Sequence, residues 1–159
     1  MGCGTGYMIR PAANVSLPGK RPDLAAFILD ARLAADSVAV QSLPLCDLRL
    51  MNDARFPWLL LIPRRAGASE IVDLQEADRL MLFEEITFVS IALRTATVCH
   101  KLNVAAIGNI VPQLHVHVVA RFRQDAVWPQ PVWGFGETVA YEEAARDRLV
   151  ARIRAALPA

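Results

Sequence analysis

The sequence has few cysteines and no surplus of charge of either sign, and both absences narrow its class. Cys3, Cys46 and Cys99 are its only thiols among 159 residues, and no two of them form a Cys-x-x-Cys pair. So few cysteines cannot build a disulfide framework, and they favour a reducing cytosol. The 17 basic and 16 acidic side chains leave a net charge of +1, which offers no broad attraction for nucleic acid or an anionic membrane. We therefore predict a cytoplasmic protein with no nucleic-acid partner.

Long apolar runs are also missing. No run approaches the roughly 18–20 apolar residues that span a bilayer, so we expect no membrane anchor. The first twenty residues lack the apolar core of a signal peptide, so we expect no leader. Hydrophobic residues make up 54% of the chain, which is ample for one core at this length. We predict a flexible tail at 1–21 and one domain at 22–159, with its core at 23–122 and a C-terminal loop and helix at 123–157.

The periodicity of apolar residues predicts an α+β domain. Strands are expected at 37–43, 46–51, 58–62, 104–107 and 112–122. Helices are expected from Asp23, as an N-cap, through Ala31; from a capping box at 73–76 for about 25 residues; and at 141–156. Consecutive strands with short links favour antiparallel pairing, which gives a sheet of about five strands with the long helix packed on it. The unbroken apolar run at 58–62 is typical of a central strand buried on both faces.

One strand carries the residues that indicate chemistry. Side chains alternate along a strand, so Gln113, His115, His117 and Arg121 are expected on one face, and the apolar residues between them under the long helix. A neutral imidazole is a competent nucleophile toward phosphorus when a backbone carbonyl holds its other ring nitrogen. A second imidazole on the same face can donate to a phosphate oxygen. This pattern predicts His115 and His117 as a catalytic pair.

Two other interpretations of the histidine pair stay open. In the first, both rings are satisfied histidines beside the core, which is the common fate of a lone histidine. Two histidines on one strand face can also chelate zinc, iron or manganese, but such a site needs a third ligand. The nearest candidates are Cys99, His100 and Asp125, and none is close in sequence. We therefore predict no metal and no other cofactor, and keep a metal-dependent enzyme as an alternative.

Residues 113–119, Gln-Leu-His-Val-His-Val-Val, resemble the motif of the histidine-triad (HIT) superfamily. That motif is His-φ-His-φ-His-φ-φ, where φ is apolar, and here Gln113 stands in place of the first histidine. The resemblance covers residues 23–122, including paired strands around 48–52 and 58–63. The loop at 128–134 resembles that of a bacterial subgroup with glutamine at the same position. The resemblance implies a HIT-like fold.

The resemblance also implies roles for individual residues. His115 would attack an α-phosphate and form a nucleotidyl-histidine intermediate, and His117 would contact phosphate near the leaving group. Gln113 cannot titrate, so a role in bracing the strand stays open while a proton relay is excluded. Asn52 and Asn109 would contact ribose or phosphate, and on sequence alone the alternative for each is a turn residue. Arg121 is a candidate for substrate binding or a solvated strand end.

The activity implied by the resemblance is that of a hydrolase or nucleotidyl transferase. Its substrate would be a dinucleoside polyphosphate, a phosphoramidate or a similar compound, from which a nucleoside monophosphate is cleaved. The resemblance further implies a homodimer joined through the sheet edge and the long helix. A nucleotide-binding module without turnover is the alternative, because Gln113 departs from the motif and the loop before it, 110–112, carries no hydroxyl or amide side chain.

Overall fold

The computed structural model describes residues 26–158 and shows one five-stranded antiparallel sheet with helices packed on it. The strands are β1 (Ser37–Ser42), β2 (Cys46–Met51), β3 (Trp58–Pro63), β4 (Lys101–Ala106) and β5 (Val116–Arg121), in the spatial order β1-β2-β3-β5-β4. The helices are α1 (Ala31–Ala35), α2 (Glu76–Thr97) and α3 (Glu143–Ala156). The predicted α+β class is confirmed, whereas the predicted tail at 1–21 lies outside the described residues.

The larger core lies between the sheet and the two long helices. Strand β3 is central and buried along its whole length, as its unbroken apolar run predicts. On one face of the sheet, inward residues of β2, β3 and β5 pack against α2 and α3. The buried members of this core include Leu48, Leu50, Leu59, Leu61, Leu82, Val89, Leu93, Val116, Val118, Ala120 and Ile153.

The opposite face of the sheet is covered differently. A smaller apolar cluster there includes Phe56, Trp58 and Val119. Leu33 of α1 and Val132, which belongs to a loop at 125–136 that we call the tryptophan loop, close over it. This face has a short helix and irregular chain above it, which leaves room for polar side chains.

All three predicted helices begin later in the structure than the sequence predicts. Helix α1 begins at Ala31, because the carboxylate of Asp30 accepts hydrogen bonds from the backbone nitrogens of Arg32 and Leu33. Phe27 and Ile28 precede this helix, and Asp23 lies outside the described residues.

Helix α2 begins at Glu76, three residues later than its predicted capping box. Asp73 instead closes a short 3-10 turn, Ile71–Asp73, in a reciprocal cap with Glu70. Its carboxylate accepts from the backbone nitrogens of Ser69 and Glu70, so it caps the turn before the helix. None of the helices in the described part of the chain combines the length and apolar character needed to cross a membrane.

The strand that carries the motif is shorter than predicted. It begins at Val116, which pairs with Leu61 of β3 and Ala106 of β4, so His115 lies just before the strand. The preceding residues bond outside the sheet, since the backbone nitrogen of Leu114 donates to the carbonyl of Ala68. The predicted terminal helix also starts later, at Glu143, and Tyr141 precedes it.

Candidate active site

The two motif histidines lie side by side on the face of the sheet opposite α2. Their ring centroids are 4.8 Å apart with an interplanar angle of 76°, and each residue is 7% exposed. His117 sits in β5 between Leu60 of β3 and Ala105 of β4, which fixes its backbone on both sides. The structure thus brings together the two histidines that the alternation of the strand predicts on one face, although His115 immediately precedes the first residue of β5.

The hydrogen bond of His115 determines which ring nitrogen carries the proton. Its Nδ1 lies 2.7 Å from the backbone carbonyl oxygen of Gln113. A carbonyl can only accept, so Nδ1 is the protonated nitrogen and donates. In the neutral ring Nε2 therefore holds the free lone pair, which is the arrangement that a nucleophilic imidazole needs.

His117 has the opposite tautomer. The indole Nε1 of Trp58 donates to its Nδ1 at 2.9 Å, so Nδ1 carries no proton and Nε2 is the N–H donor of the neutral ring. Burial, and secondarily the neighbouring His115, lowers the pKa of His117 to about 3. With both rings neutral, the site therefore presents one imidazole lone pair next to one imidazole N–H donor.

Two tryptophans complete an aromatic cluster around the imidazoles. The ring of Trp133, in the tryptophan loop, lies 5.6 Å from His117 and 5.6 Å from Trp58, edge to face in both cases. Sequence reasoning did not assign Trp58 to the site. The register of β3 against β5 reveals its place. Trp58 pairs with Val119, so its side chain lies on the same side of the sheet as His117 and diagonally across from it.

The side chain of Gln113 turns away from the imidazoles toward the chain before α1. Its Nε2 donates to the carbonyl oxygen of Ile28 at 2.8 Å, and its Oε1 accepts from the backbone nitrogen of Asp30 at 2.9 Å. The amide therefore clamps the 28–30 backbone while the main-chain carbonyl of the same residue holds His115. The amide thus braces the chain before α1, and a role in bracing the strand stays a prediction.

The two asparagines have different surroundings. The Oδ1 of Asn52 accepts from the backbone nitrogen of Tyr141 at 3.1 Å, which ties the end of β2 to the segment before α3. Asn109 is exposed in a bend between β4 and His115. Neither is placed against the imidazoles by a hydrogen bond within residues 26–158.

Arg121 is a buried ion-pair partner, and its interpretation as a solvated strand end is wrong. Only 1% of the residue is exposed, because the guanidinium bonds to three groups of the fold. Its Nε pairs with the Asp125 carboxylate at 2.7 Å, and its terminal nitrogens donate to Asn103 Oδ1 at 2.7 Å and the Gln130 carbonyl at 2.9 Å. Arg121 therefore shapes the tryptophan loop from inside.

The site offers two imidazoles for a metal and no third ligand in the part of the chain that the structure describes. No group of three histidine, cysteine, aspartate or glutamate side chains is arranged there to hold an ion. His100 lies instead against Trp128 and accepts from Arg123. The donor set therefore does not fit the metal-dependent alternative.

Comparison with known proteins gives one family. The model of the HIT domain matches residues 32–124. Histidine triad proteins from Bradyrhizobium japonicum and Sinorhizobium meliloti are 44% and 46% identical, with TM-scores of 0.83 and 0.81. These matches cover 84% and 82% of this chain and 100% and 97% of theirs. A histidine triad protein from Marinobacter aquaeolei is 39% identical over 84% of this chain and 97% of its own, with a TM-score of 0.81. A search of curated proteins gives no significant match.

Proposed function

Since this chain belongs to the histidine-triad (HIT) family, we propose that it is a nucleotidyl hydrolase or transferase with His115 as its nucleophile. The observation that carries the proposal is the pair of complementary tautomers. His115 is held through Nδ1 so that Nε2 keeps its lone pair, and His117 is held through Nδ1 so that Nε2 keeps its proton. A nucleophile beside a fixed donor is the minimum that phosphoryl chemistry requires.

In the first step His115 Nε2 attacks the α-phosphorus of the substrate. The N–P bond forms while the bond to the leaving oxygen or nitrogen breaks, and the leaving group departs with the electron pair. The Nε2–H of His117 donates to a phosphate oxygen and stabilises the negative charge that develops there. Because both rings are held from behind by hydrogen bonds, little reorganisation is needed at the moment of reaction.

In the second step water attacks the same phosphorus. The N–P bond breaks, its electron pair returns to His115 Nε2, and the water gives one proton to the medium. The products are a nucleoside monophosphate and the leaving group released earlier. If a hydroxyl or phosphate of a second substrate replaces water, the same intermediate yields nucleotidyl transfer.

The remaining predicted residues act around this pair. Gln113 is a positioning residue through its carbonyl on His115. Asn109, exposed in the bend before the motif, would reach the phosphate or ribose of the substrate. Asn52 commits its Oδ1 to Tyr141 and would offer its amide nitrogen to a ribose hydroxyl. Arg121 supports the site indirectly, since its guanidinium is bound inside the tryptophan loop.

Turnover combined with detection of the covalent intermediate tests this function. The purified protein is incubated with a panel of dinucleoside polyphosphates and adenosine 5′-phosphoramidate, and products and a nucleotidyl adduct on His115 are sought by mass spectrometry. We expect His115→Ala to abolish both the adduct and the products, by a factor of about a thousand or more. His100→Ala, a matched removal of a histidine outside the site, should retain turnover of the phosphoramidate.

The alternative of a binding module is separated by the same samples. Calorimetry with AMP measures binding independently of turnover. Clear binding with no product over hours and no adduct would replace the enzyme by a nucleotide-binding module. Products that persist undiminished in His115→Ala would exclude His115 as the nucleophile.

The proposal includes a homodimer through β4 and α2. Strand β4 is an edge of the sheet, where backbone groups are open to pairing. Beside it the outer face of α2 exposes large apolar side chains instead of a uniformly polar stripe. They are Leu80, Phe83, Phe88 and Ile91, with Val104 on β4. Light scattering should give twice the chain mass for the wild type, and Phe88→Glu with Ile91→Glu should lower it; a monomeric wild type contradicts the dimer.

A further inference from the structure

The two imidazoles are held from behind by partners of opposite kind. Nδ1 of His115 faces a backbone carbonyl, which can only accept, and Nδ1 of His117 faces the indole N–H of Trp58, which can only donate. A cationic imidazole has no free lone pair, so both of its nitrogens can only donate or remain bonded to a substituent. The carbonyl behind His115 is therefore compatible with a cationic ring, whereas the indole behind His117 is compatible only with a neutral one.

This difference bears on the intermediate of the proposed reaction. His115 attacks with Nε2 and keeps the proton on Nδ1, so its ring becomes cationic when the N–P bond forms. The centroids of the two rings are 4.8 Å apart and both residues are 7% exposed, so little water is present to screen a second positive charge. A cationic His117 would therefore oppose the intermediate, whereas a neutral His117 with its proton on Nε2 still donates to a phosphate oxygen.

Trp58 is itself held firmly enough to impose one state on His117. It lies in β3, the central strand of the sheet, where it pairs with Val119, and it is 8% exposed. Its ring meets the ring of Trp133 at 5.6 Å and that of His117 at 5.4 Å, edge to face in both cases. Because a side chain packed in this way has little free space, its N–H stays directed at Nδ1 of His117.

The side chains around His117 supply no negative charge that would favour its protonation, in the part of the chain that the structure describes. Its neighbours in β3 and β4 are Leu60 and Ala105, and the ring beside it from the tryptophan loop is that of Trp133. Burial, followed by the one ionisable neighbour, His115, lowers the pKa of His117 to about 3. The surroundings of His117 and the indole behind it thus favour the same neutral ring.

We propose that Trp58 is a positioning residue, which keeps His117 neutral and protonated on Nε2 while His115 becomes cationic in the intermediate. The inference rests on the proposed function and adds to it the residue that assigns different roles to two chemically identical rings. Trp58 acts through His117 and restricts it to hydrogen-bond donation, so His117 takes up no proton during the reaction.

Nitrogen NMR of the histidine rings tests this assignment without any substrate. The chain contains three histidines, so protein labelled with ¹⁵N in histidine gives three sets of ring signals, which His100→Ala and His117→Asn assign. In the wild type we expect His117 to keep its proton on Nε2 and none on Nδ1 from about pH 8 to about pH 5, well above its pKa. Trp58→Phe keeps a ring but removes the N–H, and it should shift the tautomer ratio about fivefold toward Nδ1–H.

Trp133→Phe is the matched control for the NMR measurement. It removes an indole that lies 5.6 Å from His117, but the Nε1 of Trp133 has no hydrogen-bond partner among the described residues. The His117 signals should therefore show the wild-type tautomer in Trp133→Phe. In turnover, Trp58→Phe should lower kcat about tenfold and leave KM within about twofold, because the orientation of His117 matters most where charge develops.

Several results would overturn the proposal. In the wild type, these are a His117 with its proton on Nδ1, or one that titrates between about pH 6 and pH 8. In Trp58→Phe, they are unchanged ring signals, or changed signals with an unchanged kcat. If Trp58→Phe does not fold, the nitrogen–nitrogen coupling across the Trp58–His117 hydrogen bond in the wild type decides, and its absence overturns the proposal. If the wild type turns over no substrate, the proposed function fails, and the NMR results still decide whether Trp58 fixes the state of His117.

Discussion

The two faces of β5 are equally buried, but burial has opposite consequences on them. On the α2 face, Val116, Val118 and Ala120 are between 0% and 2% exposed and belong to the larger apolar core. On the other face, His117 and Arg121 are 7% and 1% exposed. Burying hydrocarbon is favourable by itself, whereas a buried polar group is tolerated only when its hydrogen bonds are replaced.

This difference separates the groups that make the fold stable from those that make it specific. The apolar face requires only that its volume be filled, and many combinations of apolar side chains with a similar total volume can do this. The polar face needs named partners: Trp58 for His117, and Asp125, Asn103 and Gln130 for Arg121. Substitutions on the two faces should therefore differ in the size of their effect and in the property that they change.

The largest effect is expected where a buried charge loses its partner. Arg121→Leu leaves the Asp125 carboxylate, whose side chain is 6% exposed, without its cation. We expect the free energy of unfolding to fall by about 3–5 kcal/mol, measured by urea denaturation. Arg123→Leu, the removal of an exposed arginine two residues away, should change it by less than about 0.5 kcal/mol. Equal losses in the two variants would show that the polar face needs no matched partners.

The pH dependence of stability should reveal the buried neutral imidazole. The pKa of His117 is lowered to about 3 in the folded chain, against about 6.5 in an unfolded one. The unfolded chain therefore takes up the proton first, so the contribution of His117 is complete above about pH 6.5 and is lost as the pH falls toward 3. Between pH 6.5 and 4.5 the wild type should lose about 2 kcal/mol more stability than His117→Asn, which has no imidazole to protonate. Parallel curves for the two proteins would contradict a buried neutral His117.

The apolar face should respond in stability alone. Val118→Ala removes two methyl groups from a fully buried position under α2, and we expect a loss of about 1.5 kcal/mol in the free energy of unfolding. Because Val118 points away from the imidazoles, kcat/KM measured well below the melting temperature should stay within about twofold. A drop in kcat/KM as large as that of His117→Asn would mean that the two faces are coupled.

The same two faces differ in how well the sequence predicts them. The alternation of Leu114, Val116, Val118 and Ala120 is a local pattern, and it correctly predicted which face packs under the long helix. The continuous apolar run of β3 predicted its central place for a similar reason. These features depend on the hydrophobicity of adjacent residues, which the sequence displays directly.

The polar face depends on contacts between distant residues, which no local pattern displays. The Gln113 amide forms hydrogen bonds with Asp30 and Ile28, which lie 83 and 85 positions earlier in the sequence. Trp58 and His117, which also share a hydrogen bond, are 59 positions apart. The burial of Arg121 follows from where Asp125 and Gln130 return over the sheet. The motif thus identified the two imidazoles, but their tautomers and the role of Arg121 required the tertiary fold.

The smallest effect is expected at Gln113, where the polar face meets the chain before α1. Gln113→Ala removes two hydrogen bonds to the 28–30 backbone at a partly exposed position. We expect a loss of about 1 kcal/mol in stability, with kcat/KM reduced less than tenfold. The main-chain carbonyl that holds His115 survives the substitution, and an amide does not titrate, so the pH profile of kcat/KM should keep its shape. Gln41→Ala, at an exposed glutamine on β1, is the matched control. A loss comparable to that of His115→Ala, or a displaced pH profile, would assign the amide a direct part in the chemistry and remove the distinction between bracing and reacting groups on this face.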